Sequence, residues 1–259
     1  MATESLSTIE ALVTPKIITW ARERAELDVE ETAKKLGVAA TRLTAWENGH
    51  SHPSLKQAEN LANKLNIPFG YLYLTDPPIE ELPLADFRTV SGAPRRKPSP
   101  AFLDVLNDAL RKQEWYHDYL AVQEYDPIEF VGKFSPDSDT DEIAEDIRAT
   151  LGVNDELRDR VSGWEQFLTE LVRAAESKGI LVLRSGVVGS NTHRSLSVSE
   201  FRGFTLSDSL APLIFLNAKD AKTAQIFTLV HEMAHLWTGQ TGVSNSDYWT
   251  RSSAQWNEF

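Results

Sequence analysis

The chain has 259 residues, of which 41% are hydrophobic and 25% charged, a composition typical of a soluble protein with room for two modest domains. It contains no cysteine, which excludes disulfides and thiolate ligands, so a metal site must use His, Asp or Glu. The net charge of −12 argues against nonspecific nucleic-acid binding by the whole molecule but is compatible with a small DNA-reading module. No apolar run reaches membrane-spanning length and the N-terminus lacks the pattern of a secretion signal, so we expect a cytoplasmic protein with no membrane partner.

Residues 15–74 are predicted to form five short helices. The helical segments break at Gly37, Gly49, Pro53 and Pro68, which are residue types that commonly end or begin a helix. Apolar residues recur at helical spacing along these segments, which predicts one small all-helical core. The predicted core residues are Ile18, Ala21, Ala33, Leu36, Val38, Leu43, Trp46, Leu55, Ala58, Leu61, Leu65 and Ile67.

The second and third of these helices are joined by a glycine turn, in the sequence EETAKKLGVAATRLTAWENG. The pair resembles the helix-turn-helix of the XRE/Cro/C1 repressor-like family, which implies a DNA-binding domain over residues 1–75. In such domains the second helix of the pair enters the major groove. The resemblance implies that Thr41 and Arg42 read bases and that Asn48 contacts phosphate. The other residues that it places towards the groove are Ala39, Ala40 and Ala45.

Two features weaken the DNA-binding interpretation of this domain. Val29 stands where the family usually has a glutamine that contacts a phosphate. Residues 1–75 contain eight Lys or Arg against nine Asp or Glu, so the domain has a net charge of −1 and little positive potential. The alternative is a helix-turn-helix fold that serves protein contact or dimerisation.

Residues 76–138 are predicted to connect this domain to a second one. Residues 76–100 are proline-rich and lack helical periodicity, whereas 101–121 read as an amphipathic helix. Its predicted buried residues are Phe102, Val105, Leu106, Ala109, Trp115 and Leu120. Further helices are predicted at 139–151 and 162–178, and strands at 180–183, 201–206 and 213–216. The last helix of this α+β order, 221–237, contains the sequence H-E-x-x-H, and a short β-sheet followed by such a helix is the usual order of a small zincin-like domain.

The most informative segment of the chain is His231-Glu232-Met233-Ala234-His235. On a helix, residues four apart lie on one face, so both imidazoles can reach a single metal ion. Glu232 can then act as a general base that takes a proton from the water attacking a carbonyl group. The alternative is a core helix that carries two incidental histidines.

The helix with this motif is predicted to have Asp220 as its N-cap and to continue without Gly or Pro until Gly239. Phe227, Val230, Ala234 and Trp237 recur at helical spacing and are predicted to form its buried side. We also expect a substrate strand to pair along a sheet edge at Leu213–Asn217, because this segment leads directly into the motif helix.

Residues 140–259 resemble the ImmA/IrrE family of metallopeptidases, and we assign this domain to residues 139–259. The resemblance is carried by NTHRSL at 191–196, EFRGFTL at 200–206, the segment 212–237 that contains the motif, and GVSN at 242–245. It implies a Zn²⁺-dependent peptidase of narrow specificity, with His231 and His235 as zinc ligands and Glu232 as the catalytic base. Relatives of this kind cut a helix-turn-helix repressor, so the implied substrate is a repressor or an antitoxin-like protein.

The third zinc ligand and a helper residue are less well defined. In the family the third ligand is a glutamate that opens the next helix. Glu258 is the nearest match, one residue out of register, and Asp247 is the second choice. The sequence ends before the helix that normally packs beneath the site, so we expect a C-terminally incomplete domain. His193 in the NTHR segment could orient the substrate or stabilise an oxyanion, or only hold its loop.

Two functions are therefore predicted. The first is a DNA-binding transcriptional regulator whose zinc peptidase domain cleaves a specific protein partner. The second is a non-catalytic XRE-type regulator whose peptidase-like domain senses a signal or forms a homodimer. The intact H-E-x-x-H motif favours the first function, and the poorly defined third ligand favours the second.

Overall fold

The computed structural model describes residues 9–79 and 98–244 of the chain. The chain divides into two compact units, Met1–Glu81 and Leu82–Phe259. Each unit has its own cluster of buried apolar residues. Among the described helices, none is both long and apolar enough to cross a membrane.

Within residues 9–79, the first unit has four α-helices and one 3₁₀ helix. They are α1 (Pro15–Arg24), α2 (Val29–Leu36), α3 (Ala40–Glu47), α4 (Leu55–Leu65) and the 3₁₀ helix Phe69–Tyr73. Local sequence explains the ends of these helices. Asp28 and Ser54 begin α2 and α4 with capping boxes, and Gly37 ends α2 in the left-handed conformation. The prediction of five short helices over residues 15–74 is confirmed.

The core of the first unit contains nearly all of the residues that the sequence pattern predicts. Val38 is half-buried against this core, and Leu55 is 39% exposed, so the prediction that Leu55 is buried is wrong. Leu55 is the first residue of α4, and the buried face of that helix begins one turn later at Ala58.

Within residues 98–244, the second unit has five helices and six strands. The helices are α5 (Pro100–Val122), α6 (Thr140–Leu151), α7 (Asp155–Arg160), α8 (Trp164–Ser177) and α9 (Lys222–Trp237). The strands are β1 (Leu181–Ser185), β2 (Val187–Val188), β3 (Asn191–Ser195), β4 (Gly203–Leu206), β5 (Leu213–Asn217) and β6 (Gly242–Ser244). With an all-helical first unit and a small sheet in the second, the α+β fold class is confirmed.

The prediction that Trp115 of α5 is buried is wrong. This side chain is 69% exposed and stacks on Tyr119. Helix α5 packs Phe102, Leu106 and Ala109 into the core beside the sheet. At about 100° per residue, Trp115 lies on nearly the opposite side of the helix from these three residues.

Four of the strands form one mixed sheet in the order β1-β5-β4-β6, and β2 and β3 form a separate hairpin. Strand β5 is parallel to β1 and antiparallel to β4, and all five of its residues are buried. The prediction of a free edge at Leu213–Asn217 is therefore wrong, because β5 already pairs on both sides. Its continuous apolar run fits a strand that is covered on both faces. Among the described strands of this sheet, β1 and β6 lie at the edges.

Helix α9 begins one residue later than the sequence pattern predicts. Its N-cap is Ala221, and the carboxylate of Asp220 instead accepts a hydrogen bond from Arg202 at 3.0 Å. The carbonyl oxygen of Asp220 accepts a hydrogen bond from Gln225 at 2.7 Å. These contacts fix the loop between β5 and the start of α9.

The predicted buried side of α9 is only partly correct. Trp237 is fully buried, where it stacks on Phe130 at a centroid distance of 4.0 Å, and Ala234 is half-buried. Phe227 and Val230 are 52% and 42% exposed, so the prediction for these two residues is wrong. The fully buried side of α9 is formed by Gln225, Thr228, Leu229, Glu232, Met233, Leu236 and Trp237. The sheet therefore covers the side of the helix that carries Glu232.

Candidate metal and catalytic site

The rings of His231 and His235 converge from successive turns of α9. Their Nε2 atoms are 3.2 Å apart, and the two rings are nearly perpendicular, at an interplanar angle of 87°. Two ligands of a tetrahedral zinc ion with bonds of about 2.0–2.1 Å are roughly 3.3 Å apart. One proton or one metal ion can therefore bridge these two nitrogens with little movement of the rings.

Both imidazoles favour the neutral form that binds metals. Burial lowers the pKa of His231 to about 4, and the neighbouring His235 has a smaller effect in the same direction. Burial also lowers the pKa of His235, although its hydrogen bond to Gln240 opposes that effect. A lone pair is needed for coordination, and the neutral ring provides one.

Glu232 lies next to His231 in sequence, but its side chain turns towards the sheet. The side chain is fully buried, and its Oε2 accepts a hydrogen bond from Thr205 Oγ1 of β4 at 2.7 Å. Burial raises the pKa of Glu232 to about 7, against the lowering effects of the Thr205 and Ser244 hydroxyls. Its Oε1 is buried without a hydrogen-bond partner among the described residues. Such an oxygen is uncommon in proteins and indicates a place for a water molecule, a proton or an ion.

Gly203 of β4 provides the space that the Glu232 side chain occupies. A Cβ atom at this position would lie 3.1 Å from Glu232 Oε1 and 2.7 Å from Thr228 Cγ2. It would also lie 2.9 Å from the carbonyl oxygen of Phe215. A side chain at residue 203 would thus push α9 away from β4 or displace the carboxylate.

The residues predicted to contact DNA are exposed on the first unit. Thr41 and Arg42 lie in the first turn of α3, and Asn48 is its C-cap. Helix α3 is fixed to α1 by a bidentate ion pair, in which Arg22 Nε and Nη2 donate to the Glu47 carboxylate at 2.7 and 3.3 Å. The N-terminal end of α3 is therefore both accessible and held in a defined orientation.

Comparison with known families accounts for both units. A family model described as Helix-turn-helix matches residues 18–72, and a peptidase family model described as IrrE N-terminal-like domain matches residues 175–259. The chain joins a helix-turn-helix domain to an IrrE-like domain. The resemblance inferred from the two sequence motifs is thus confirmed.

Among solved structures, the fusion is similar to ComR from S. thermophilus, crystallised in complex with DNA and its signalling peptide ComS. The identity is 16% and the TM-score is 0.23, a likeness too low to support a structural argument. The match covers 72% of this chain and 46% of ComR, so the chain spans less than half the length of that protein. No curated protein matches the chain.

Of the other predicted site residues of the IrrE-like domain, only His193 lies within the described part of the chain. His193 lies exposed on β3, where its backbone N–H donates to Asn191 Oδ1 at 3.0 Å, and its catalytic role stays a prediction. Glu258 and Asp247 lie outside the described residues. Within residues 9–79 and 98–244, no group of three or more His, Cys, Asp or Glu is arranged to hold a metal ion.

Sequence reasoning missed three residues of the IrrE-like domain that shape this site. Thr205 and Gly203 belong to a segment that carries the family resemblance, but their contacts with Glu232 depend on β4 packing against α9. Gln240 contacts His235 from beyond the end of α9. The preceding Gly239 was a usable signal, because a glycine after a helix indicates a turn that reverses the chain onto the last helical residues.

Proposed function

We propose that this protein is a DNA-binding regulator whose IrrE-like domain is a zinc-dependent endopeptidase that cleaves a specific repressor or antitoxin-like protein. The observation that carries the proposal is the converging pair of His231 and His235 beside the buried Glu232. Two neutral imidazoles at the spacing of a shared ion, next to a carboxylate with a raised pKa, are the groups that metal-assisted peptide hydrolysis needs.

The side chains present are of the types that bind zinc. His231 and His235 would hold it through Nε2, and the sequence nominates Glu258 as the acidic third ligand. Zinc in such a site polarises the scissile carbonyl and lowers the pKa of water. The unpartnered Oε1 of Glu232 is an independent sign that a polar group belongs at this place.

Glu232 is proposed to act as the general base and then as the general acid. A carboxylate with a pKa of about 7 can accept a proton from the attacking water and return it to the leaving amine near neutral pH. Thr205 holds Oε2, which leaves Oε1 as the oxygen that accepts the proton. The side chain of His193 is exposed and lies on the separate β2–β3 hairpin. We therefore propose that it orients the substrate or stabilises an oxyanion only once the substrate is bound.

DNA binding is proposed for the helix-turn-helix domain through the exposed start of α3. Arg42 can donate two hydrogen bonds to a guanine edge, and Thr41 can contact either a base or a methyl group. Lys34 and Lys35 at the end of α2 are exposed and could contact phosphate. The net charge of −1 over residues 1–75 predicts modest affinity with a shallow dependence on salt concentration.

The second candidate function is a non-catalytic regulator, and the burial of Glu232 favours it. A carboxylate that is fully buried against the sheet and bonded to Thr205 has no contact with solvent. In that case the IrrE-like domain would sense a signal or mediate a homodimer. The two functions differ in whether Glu232 is needed for proteolysis, and this can be measured.

The test compares wild type with Glu232→Gln and with a His231→Ala/His235→Ala double variant. New protein N-termini are mapped in cells that express each form, zinc content is measured by mass spectrometry, and DNA binding by gel shift. We expect wild type to generate new termini in one or a few regulatory proteins. Glu232→Gln should generate none, yet it should retain zinc and DNA binding because Glu232 is not a ligand.

A matched control is Glu165→Gln, which changes an exposed glutamate on α8 and should behave as wild type. Equal cleavage by wild type and Glu232→Gln would refute the peptidase function. Zinc at background level in wild type, or undiminished zinc in the double histidine variant, would refute the metal site. DNA binding by every form, with no new N-termini in any of them, would support the non-catalytic regulator.

A further inference from the structure

The end of α9 forms a turn that folds the chain back onto the motif. The N–H of Gln240 donates to the carbonyl oxygen of His235 at 2.8 Å, and the N–H of Gly239 donates to that of Leu236 at 3.0 Å. This pair of bonds is the Schellman arrangement, which needs a left-handed residue just after the helix. Gly239 provides it, with φ of +67°. The turn places the Gln240 side chain beside the second histidine of the motif.

Gln240 contacts the ring nitrogen of His235 that faces away from His231. Its Oε1 lies 3.0 Å from His235 Nδ1, while His235 Nε2 faces His231. An amide oxygen only accepts hydrogen bonds, so the Nδ1 atom opposite it must carry a proton and donate. A neutral imidazole with its proton on Nδ1 has its lone pair on Nε2, towards the proposed metal position.

We propose that Gln240 is a positioning residue that fixes the Nδ1–H tautomer and the ring orientation of His235 for metal binding. This inference rests on the proposed zinc site. A ligand histidine usually donates its second N–H to a carboxylate, a carbonyl or water, and loss of that partner weakens metal binding. Here the acceptor of that N–H is the side-chain amide of Gln240, which follows the C-terminal end of α9.

The geometry of the turn makes Gln240 dependent on two glycines. A Cβ atom on Gly239 would lie 3.2 Å from Gly132 Cα, in addition to the strain of its positive φ. Gly132 N–H donates to the carbonyl oxygen of Leu236 at 2.9 Å, so the loop after α5 packs directly against the end of α9. The backbone at this point is therefore fixed from both sides, and the Gln240 side chain starts from a defined position.

The first measurement is the tautomer of His235 in the metal-free protein, read from long-range ¹H–¹⁵N correlations. We expect the Nδ1–H form in wild type and in Gln240→Glu, which keeps an acceptor. In Gln240→Leu, which has none, we expect a mixture of tautomers. A wild-type His235 with its proton on Nε2 would overturn the proposal, because the Gln240 amide would then donate to Nδ1.

The second measurement is zinc affinity, determined by competition with a chromophoric chelator. We expect Gln240→Ala to bind zinc about 10–100-fold more weakly, and Gln240→Glu to bind at least as tightly as wild type. Gln123→Ala, which changes an exposed glutamine after α5, is the matched control and should bind zinc as wild type does. Rescue by the glutamate variant separates positioning from general damage to the fold.

The outcomes distinguish this inference from the proposed function. Wild type that binds no zinc overturns the metal site and the role of Gln240 with it. Zinc binding in wild type that is unchanged in Gln240→Ala overturns the positioning role alone. Weakened binding in both Gln240→Ala and Gln240→Glu also overturns it, because an acceptor at residue 240 would then not be what matters.

Discussion

Replacing Thr205 with valine should destabilise the IrrE-like domain by removing a hydrogen bond from the buried Glu232. The Thr205 hydroxyl donates to Glu232 Oε2 at 2.7 Å, and both side chains are fully buried. Valine has nearly the same shape as threonine but no donor. The carboxylate would then lose the hydrogen bond to Oε2, while Oε1 has no partner at hydrogen-bond geometry among the described residues. The Ser244 hydroxyl would be the remaining side chain that favours its charged form.

Above its pKa of about 7 Glu232 is ionised, and the size of the effect at such a pH follows from the charge of the acceptor. A hydrogen bond to a charged group contributes about 1.5–3 kcal/mol to stability, and a buried charge without a donor costs more than a neutral group does. We therefore expect Thr205→Val to lower the free energy of unfolding by about 2–3 kcal/mol. Thr205→Ser keeps the donor and loses one methyl group, so it should cost only about 1 kcal/mol.

The measurement is hydrogen exchange of the metal-free protein over a series of denaturant concentrations, followed by mass spectrometry. Peptides from β4 and α9 report the opening of the IrrE-like domain, and peptides from the first unit serve as an internal reference. Thr205→Val should cost much less in a Glu232→Leu background, where no carboxylate remains. If valine and serine are equally destabilising, or if the cost of valine is the same in both backgrounds, the hydrogen bond is not the cause.

Three further predictions concern other residues. Arg42→Ala should reduce discrimination at the contacted base pair by about 1–3 kcal/mol in a competition binding assay; unchanged site preference would rule out base reading by this residue. Gly203→Ala should destabilise the IrrE-like domain by about 1–3 kcal/mol through overpacking, whereas Gly70→Ala, which has open space around it, should be close to neutral in hydrogen exchange. The hydrogen bond to Asp208 raises the pKa of His117, and hydrogen bonds from Ala211 and His117 lower the pKa of Asp208 despite its burial. The stabilisation from His117 is thus full below its ordinary pKa of 6.5 and is lost as the pH rises through its raised value, while that from Asp208 is lost as the pH falls below 3.8. Unfolding measured from pH 5 to 8.5 should show this loss in wild type and not in Asp208→Asn.

The sequence predicts the helix-turn-helix domain well because its information is local. The turn at Gly37 lies where the sequence predicts it, and it acts over three or four residues, as do the caps at Asp28 and Ser54 that the structure adds. The failure at Leu55 has a local cause as well. Periodicity identifies the face of a helix, but it does not show where along the helix the neighbouring elements begin to cover it.

The sheet of the IrrE-like domain was less predictable because strand order depends on contacts between distant segments. The segment 213–216 was recognised as a strand, but nothing within it shows that β1 and β4 pair on its two sides. Strand β6 consists of three residues after the motif helix and has too short a pattern to be recognised. The hairpin of β2 and β3 also has a register irregularity that obscures its alternation.

The error on Phe227 and Val230 shows why an apolar pattern was a poor guide to the buried side of α9. Both residues are large and apolar, and hydrophobicity alone places them inside. The sheet instead covers Thr228 and Glu232, which are polar. In the proposed peptidase, α9 has to enclose reactive polar groups as well as apolar ones, even when their burial is costly.

The spacing of the H-E-x-x-H motif also explains which residues of β4 face Glu232. His231 and His235 share one side of α9, and at about 100° per residue Glu232 must turn away from His231. Once the histidines lie along the flank of the helix, Glu232 faces the strand beneath, and a full-sized side chain there would collide with it. Gly203 supplies the space and Thr205, two residues along on the same face of β4, supplies the donor. The H-E-x-x-H spacing therefore determines which atoms converge in this structure. The space and the donor for Glu232 come from a strand nearly thirty residues earlier. Both partners are present here, which supports the proposed role of Glu232.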